Sequence, residues 1–195
     1  MSSKSAKVLL LGPADNTLAP FLRERGELVV CTDLPLDPSW LQAEKFDFLV
    51  SYGYRHILKK EVLDLFPDRA INLHISYLPW NRGADPNLWS FIDGTPKGVT
   101  VHYLDEGVDT GDILVQKRLF FDGSETLASS YLKLKECIEA LFREHWVKIR
   151  TGRAGRSPQV GQGSCHRAKE KEKLGSLLAQ GWDTPVSKLR QPEKA

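Results

Sequence analysis

The sequence predicts an α/β domain built on a mostly parallel sheet flanked by helices. Short apolar runs of strand length alternate with helix-patterned stretches through the first half of the chain, which implies right-handed crossover units. The first of these runs is apolar throughout rather than alternating, as expected of a strand covered on both faces. A length of 195 residues with 41% hydrophobic content suits one compact domain carrying an extra segment at its end.

Residues 7–12 (KVLLLG) form the first buried strand and enter a Gly-Pro turn. Asp15 or Asn16 can cap a helix that runs to about Arg25, where Gly26 stops it. Residues 27–31 read as a second strand, 35–43 as a loop with a short helix, and 46–52 as a third strand. An amphipathic helix over 59–66 leads to a fourth strand over 70–76. Leu88 and Ile92 sit in a helix ended by Gly94. Residues 98–104 alternate like a half-buried strand, and 112–121 give another. From Glu125 to about Ile149 the apolar positions Leu127, Tyr131, Leu134, Ile138, Leu141, Phe142 and Trp146 fall three or four apart, predicting one long helix. A Gly-rich connector over 152–163 precedes a charged tail broken at Pro185 and Pro192. The expected division is a catalytic domain over 1–150 and an extension over 151–195 packed on the same domain.

The formal charge is +2, with acids and bases interspersed. That balance gives no warrant for nucleic-acid or membrane-surface binding. The first apolar run is too short for a signal sequence or a membrane span, so a cytoplasmic protein is expected. Cys31, Cys137 and Cys165 are odd in number and too far apart for a metal knuckle. Cys31 and Cys137 lie in apolar stretches and read as small core residues, reduced in the cytosol. No His/Cys/Asp cluster has ligand spacing, so no metal is expected. No G-x-G-x-x-G follows the first strand, which argues against a dinucleotide.

In open parallel sheets, ligands sit beyond the carboxyl ends of the strands. Asn72 and His74 lie two apart near the end of the fourth strand, so they share a face. A buried strand is normally apolar, and two polar residues there need partners or a cavity; a satisfied pair tying down the next loop is the plain alternative. Asp109 lies between Gly107 and Gly111, where glycines allow close approach to the main chain, although an ordinary turn reads the same way. Together the three residues offer an amide donor for an oxyanion, a proton carrier and a carboxylate to orient or charge it. No G-x-S-x-G elbow supplies a nucleophile, so direct attack by an acceptor amine is preferred to an acyl-enzyme.

The run Asn72-Leu73-His74-Ile75-Ser76-Tyr77-Leu78-Pro79, followed by Gly83, resembles the signature of the 10-formyl-tetrahydrofolate-dependent formyltransferases. Residues 105–111 (DEGVDTG) resemble that family's second motif, and the likeness spans about residues 7–150. It implies a Rossmann-like formyltransferase fold and 10-formyl-tetrahydrofolate as co-substrate. Asn72 then steadies a tetrahedral oxyanion, His74 donates and relays a proton, and Asp109 positions a water or His74. It also implies a pterin groove formed by Tyr54, Arg55, His56, Ile57, Leu58, Leu78 and Pro79 and by the backbone of Asp105, Glu106, Gly107, Val108 and Asp109. The loop over 79–98 looks closest to sugar formyltransferases and to formylation domains of nonribosomal peptide synthetases. The length leaves no room for the extra barrel of the methionyl-tRNA enzymes. The expected partner is a small-molecule amine, an amino sugar nucleotide or aminoacyl group; no nucleic acid or membrane is expected, and a homodimer is left open. A formyl-tetrahydrofolate hydrolase and a non-catalytic folate-binding module are the alternatives.

His56 is expected in the groove or on a surface loop, His102 in the cleft or facing solvent, His145 exposed, and His166 as a cap, with an acceptor-site residue as the alternative. Trp80, Trp89, Phe91 and Trp146 are expected in the core or the cleft wall.

Overall fold

A computed structural model describes residues 5–189. In chain order the elements are β1 (Lys7–Leu11), α1 (Leu18–Glu24), β2 (Leu28–Thr32), α2 (Pro38–Glu44), β3 (Phe48–Ser51), α3 (Lys60–Leu63), β4 (Ala70–His74), β5 (Arg82–Gly83), α4 (Pro86–Ile92), β6 (Lys97–Tyr103), β7 (Ile113–Leu119), α5 (Leu127–Arg150) and β8 (Cys165–His166). Three 3-10 segments follow, Ala168–Leu178, Gly181–Asp183 and Val186–Lys188.

Six strands make one sheet in the order β2-β1-β3-β4-β6-β7. The first four run parallel, and β6 and β7 return antiparallel. The chain builds outward from β1 to β2, then reverses past β1 to β3 and β4, so the switch point lies between β1 and β3. β1 lies inside the sheet and is apolar after Lys7 because both its faces are covered: Val8, Leu9, Leu10 and Leu11 are all buried. β2 is an edge strand. Its Cys31 is exposed and so is not the core residue its apolar neighbours suggested, whereas Cys137 on α5 is half-buried and packs against the main core. An edge strand leaves part of its surface uncovered whatever its composition.

The long helix forms as its periodicity predicts. Thr126 and Ser129 make a reciprocal capping box at its start. Its inner face sends Leu134, Ile138, Phe142 and Trp146 into the main core. Trp146 is fully buried, edge-on to Phe48 at 5.2 Å, and its indole N–H donates to Glu27 Oε1 at 3.2 Å. Glu27 also accepts from the Ala6 amide at 2.7 Å and pairs with Arg150 at 3.1 Å, so the buried carboxylate is satisfied.

The chain after α5 returns along the domain. Ser157 bridges Ile113, β8 pairs in parallel with β5, and Val186 and Leu189 are buried with Leu88, Phe91 and Leu127. The β5–β8 ribbon requires a close pass at Gly163, whose φ is +64° and where a Cβ would sit 2.1 Å from the Pro79 carbonyl oxygen. Composition marked this stretch only as a Gly-rich connector. Among the described residues no helix is long and apolar enough to cross a membrane.

Trp146→Ala should remove the ring contacts with Phe48 and Phe142 and one of the donors to Glu27, lowering stability by about 3–5 kcal/mol in a urea titration. Loss below about 1 kcal/mol would mean that α5 does not anchor the core.

Candidate active site

β4 is the strand at which the sheet changes direction, parallel to β3 on one side and antiparallel to β6 on the other. Its last turn of pleat points Asn72 and His74 to one face. The antiparallel pairing sets His102 of β6 directly opposite Asn72. Asp109, on the loop joining β6 to β7, reaches back over this pair. The loop can close because Gly111 passes so near Tyr103 that a Cβ would sit 1.9 Å from its carbonyl oxygen.

Asp109 occupies the left-handed backbone region, with φ of 52°, which is sparsely populated for non-glycine residues. Several contacts hold it there. The Gly83 amide donates to Oδ2 at 2.8 Å and the Asn72 amide nitrogen to Oδ1 at 3.1 Å. His102 Nε2 lies 3.4 Å from Oδ1 and His74 Nδ1 lies 3.6 Å from Oδ2. On the backbone side, Gln159 Nε2 donates to the carbonyls of Asp109 at 2.8 Å and Gly111 at 2.9 Å. Gln159 Oε1 in turn accepts from Arg82 Nη2 at 2.7 Å and Nε at 3.0 Å. One side chain from the connector therefore ties β5 to the Asp109 loop.

Burial acts to raise the Asp109 pKa. The neighbouring His74 and His102 imidazoles and the Gly83 amide outweigh it, holding the carboxyl well below the usual range and therefore ionised. The ring nitrogens follow from their partners. His74 Nε2 sits 3.0 Å from the Asn81 carbonyl, an acceptor only, so it carries a proton and donates it there. His74 Nδ1, facing Asp109, is the nitrogen free to gain or release one. His102 Nδ1 donates to the Tyr103 carbonyl at 2.8 Å, and its Nε2 lies 3.3 Å from the Asn72 amide nitrogen and 3.4 Å from Asp109 Oδ1. The Asn81 carbonyl is itself fixed: Asn81 is fully buried and bonded to Thr95 and Ser164. The cluster thus presents an amide donor, an exchangeable imidazole proton and a permanent carboxylate at one point.

The residues expected to form the groove are more dispersed. Tyr54 is half-buried and donates its hydroxyl to the Leu34 carbonyl at 2.7 Å. Arg55 and His56 are exposed, His56 edge-on to Tyr54 at 5.2 Å. Ile57 is 80% exposed beside a half-buried Leu58. Leu78 is buried and Pro79 half-buried. Asp105, Glu106, Gly107 and Val108 are exposed; the first three line an open trough of about 480 Å³ with Lys60, Leu63, Asp64 and Pro67. Asp105 shapes this loop by accepting from Thr110 Oγ1 at 2.6 Å and the Gly107 amide at 3.1 Å.

Other side chains differ from expectation. His102 does not face solvent; it is fully buried against Asn72 and Asp109, and only strand pairing could reveal it. His166 is not a cap but lies flat on Trp89 at 4.0 Å, held by Asp93 at 2.7 Å and Glu170 at 3.1 Å. His145 is half-buried, its Nδ1 donating to the Leu141 carbonyl, since a helix side chain can fold back on the preceding turn. Trp89, Phe91 and Trp146 are buried and Trp80 is half-buried, within the expected core or wall. Gly83 ends the first motif, but nothing in the sequence marked its amide as a partner of Asp109; the contacts of Gln159 and of the Asn81 carbonyl were not marked either, because each runs through a backbone group or joins positions far apart in the chain.

Asp109→Asn should cost about 1–3 kcal/mol at neutral pH. A lowered carboxyl pKa stabilises the fold above the unfolded value, and that stability is lost as pH falls through the folded one. The deficit of the variant in urea titrations should therefore shrink on acidification; a constant deficit would contradict the electrostatic account. Gln159→Leu should strand two carbonyls, lower stability by about 1–3 kcal/mol and raise hydrogen exchange in the 105–111 loop. Exchange unchanged from wild type would remove Gln159 as the loop's anchor.

A family model described as "Formyl transferase" matches residues 38–144, a span holding Asn72, His74, His102 and Asp109. The methionyl-tRNA formyltransferase of Syntrophus aciditrophicus (strain SB) is 35% identical over 157 residues, 78% of this chain and 49% of that protein. The dTDP-4-amino-4,6-dideoxyglucose formyltransferase of Mycobacterium tuberculosis (strain ATCC 25618 / H37Rv) is 29% identical over 134 residues, 69% of this chain and 56% of that protein. The chain spans about half the length of the curated relatives it matches. Among solved structures, the formyltransferase PseJ from Anoxybacillus kamchatkensis, in complex with UDP-4,6-dideoxy-4-formamido-L-AltNAc and tetrahydrofolate, is 49% identical. It superimposes with a TM-score of 0.91 over 94% of this chain and 97% of that one. With more than half its length matched by the family model and the buried Asn72–His74–Asp109 cluster inside that match, the chain belongs to the formyl transferase family.

Proposed function

We propose that this protein transfers a formyl group from 10-formyl-tetrahydrofolate to a primary amine on a sugar nucleotide, by direct attack of the amine. The observation that carries this reading is the convergence of Asn72, His74 and Asp109, with both carboxylate oxygens of Asp109 turned inward. The likeness to PseJ supports the acceptor class, because that structure holds a formamido sugar nucleotide together with tetrahydrofolate. The near-neutral charge of the chain supports a small acceptor over tRNA, and a cytoplasmic setting suits both substrates.

The surface near the cluster fits a flat heterocycle. Ile57 and Val108 leave apolar side chains in water, at 80% and 48% exposure, on the two loops assigned to the pterin. Exposed apolar side chains on loops of this kind suit a planar ring that needs a few main-chain partners.

The chemistry forms one C–N bond and breaks another. The acceptor amine adds to the formyl carbon, and negative charge gathers on the formyl oxygen. Asn72 supplies an N–H to that oxygen, turning from His102 or Asp109 to do so. His74, protonated at Nδ1 beside the Asp109 carboxylate, supplies the second positive partner. Asp109 stays ionised and favours the charged ring, so the proton lost by the amine passes through His74 or a water held by Asp109. The departing N10 of the folate takes a proton, leaving tetrahydrofolate and a formamide. His102 takes no proton in this scheme; it fixes Asn72 and Asp109 in place.

Purified protein with 10-formyl-tetrahydrofolate should release tetrahydrofolate only when an amino sugar nucleotide is added. Equal release in its absence would favour hydrolysis. Asn72→Ala and His74→Ala should each lower kcat at least ~100-fold, the scale of losing an oxyanion donor or a proton-transfer group. Normal turnover in the triple Ala variant of Asn72, His74 and Asp109 would refute the site.

A further inference from the structure

The connector after α5 joins the sheet at one residue. Ser157 pairs antiparallel with Ile113 on the open side of β7. Its amide donates to the Ile113 carbonyl at 3.0 Å, and its carbonyl accepts from the Ile113 amide at 2.8 Å. Two exchanged bonds fix the course of the main chain there, and Ala154 packs against the main core just before it. The side chains flanking this anchor, Arg156 and Gln159, both reach the segment that carries Asp109.

Gln159 takes the crest of that loop, donating to the Asp109 and Gly111 carbonyls. Arg156 takes its base. Its Nε donates to Asp112 Oδ2 and its Nη1 to Asp68 Oδ1, both at 2.6 Å, and its guanidinium carbon lies 4.6 Å from the Tyr103 ring centroid. These three partners mark three strand ends. Asp68 lies two residues before β4, Tyr103 ends β6, and Asp112 immediately precedes β7. One planar cation therefore ties together the segments that supply Asn72 and His74, His102, and Asp109.

The tie reaches the cluster through the main chain. The Tyr103 amide donates to the Asp112 carbonyl at 2.9 Å, which closes the loop at its neck. The Tyr103 carbonyl accepts from His102 Nδ1 and so sets how that ring faces Asn72 and Asp109. The loop is acidic: Asp105, Glu106, Asp109 and Asp112 fall within eight residues. Without Arg156, the Asp68 and Asp112 carboxylates would face each other uncompensated. Arg156 is half exposed, and ion pairs so open to water contribute little to overall stability. Small displacements of a reacting group, by contrast, are costly in rate.

We infer that Arg156 and Gln159 are positioning residues for formyl transfer: a two-pronged clamp from the connector sets the stance of Asp109 and His102, and it acts on the rate of the chemical step rather than on substrate binding. The kinetic half rests on the proposed activity; the placement of His102 is tested without turnover.

The test combines steady-state kinetics of the full chain with ring-nitrogen NMR of its histidines. Arg156→Met should lower kcat about 10-fold, and Arg156→Met with Gln159→Leu about 100-fold, the scale of misplacing a reacting group by roughly 1 Å. KM for the amino sugar nucleotide should stay within about twofold of wild type, as uniform binding is untouched. Arg156→Lys keeps the charge but not the planar fork, so it should recover only part of the loss. The His102 Nδ1 proton should exchange at least ~10-fold faster in the double variant than in wild type. Thermal melts should leave Arg156→Met near wild type, which keeps the kinetic test valid where Gln159→Leu melts early. Unchanged kcat in the double variant would overturn the inference, as would His102 Nδ1 exchange identical to wild type. A wild type that transfers no formyl group would sink the proposed activity, and the His102 exchange in the same variants would still decide the clamp.

Discussion

Burying a carboxylate in a left-handed backbone conformation is unfavourable on two counts, and Asp109 meets both. Its charge is removed from most of the solvent, and its φ of 52° is a region that side chains disfavour. The structure around it offsets these costs with an amide from β5, an amide side chain from β4, imidazoles from β4 and β6, and a glutamine from the connector. Removing one partner leaves the others with an uncompensated charge or carbonyl, so the contacts act as a unit. The switch in strand direction at β4, the close pass at Gly111 and the return of the chain after α5 all serve to bring those donors to one carboxylate.

That arrangement also explains why the chain beyond the long helix matters to the candidate site. Gln159 fixes the Asp109 loop, Ser164 fixes Asn81, and Asn81 in turn receives the Nε2 proton of His74. His166, stacked on Trp89 and clamped between Asp93 and Glu170, pins β8 over α4. The same return sets Trp182 edge-on to Tyr131 of α5 and pairs Lys171 with Asp85. One segment thus steadies the surroundings of His74 and Asp109 and lies against α4 and α5. The buried residues Val186 and Leu189 hold its far end against α4 and the start of α5.

Much of the fold was readable from local pattern. The apolar run of β1 after Lys7, the three-and-four spacing of α5, and the Asn72-x-His74 pair at a strand end each follow from short-range periodicity. The first motif placed two site residues on one face because alternation in a strand is a local rule. Local rules were weaker at edges and ends: Cys31 has apolar neighbours yet sits on an edge strand, and His166 begins a charged tail yet is locked by stacking.

By itself, the sequence determined the alternating strand and helix pattern, the first buried strand, the long helix, and three polar residues of the types that acyl transfer requires. These depend on neighbours within a few positions, where backbone geometry relates spacing to face. Tertiary structure alone decided that His102 lies opposite Asn72, that the Gly83 amide and the Gln159 side chain hold Asp109, and that the tail packs against α4 and α5. Each of these contacts joins residues tens of positions apart. Their meeting depends on strand order, on the antiparallel turn after β4 and on two close backbone passes at glycine, none of which leaves a periodic trace in the chain.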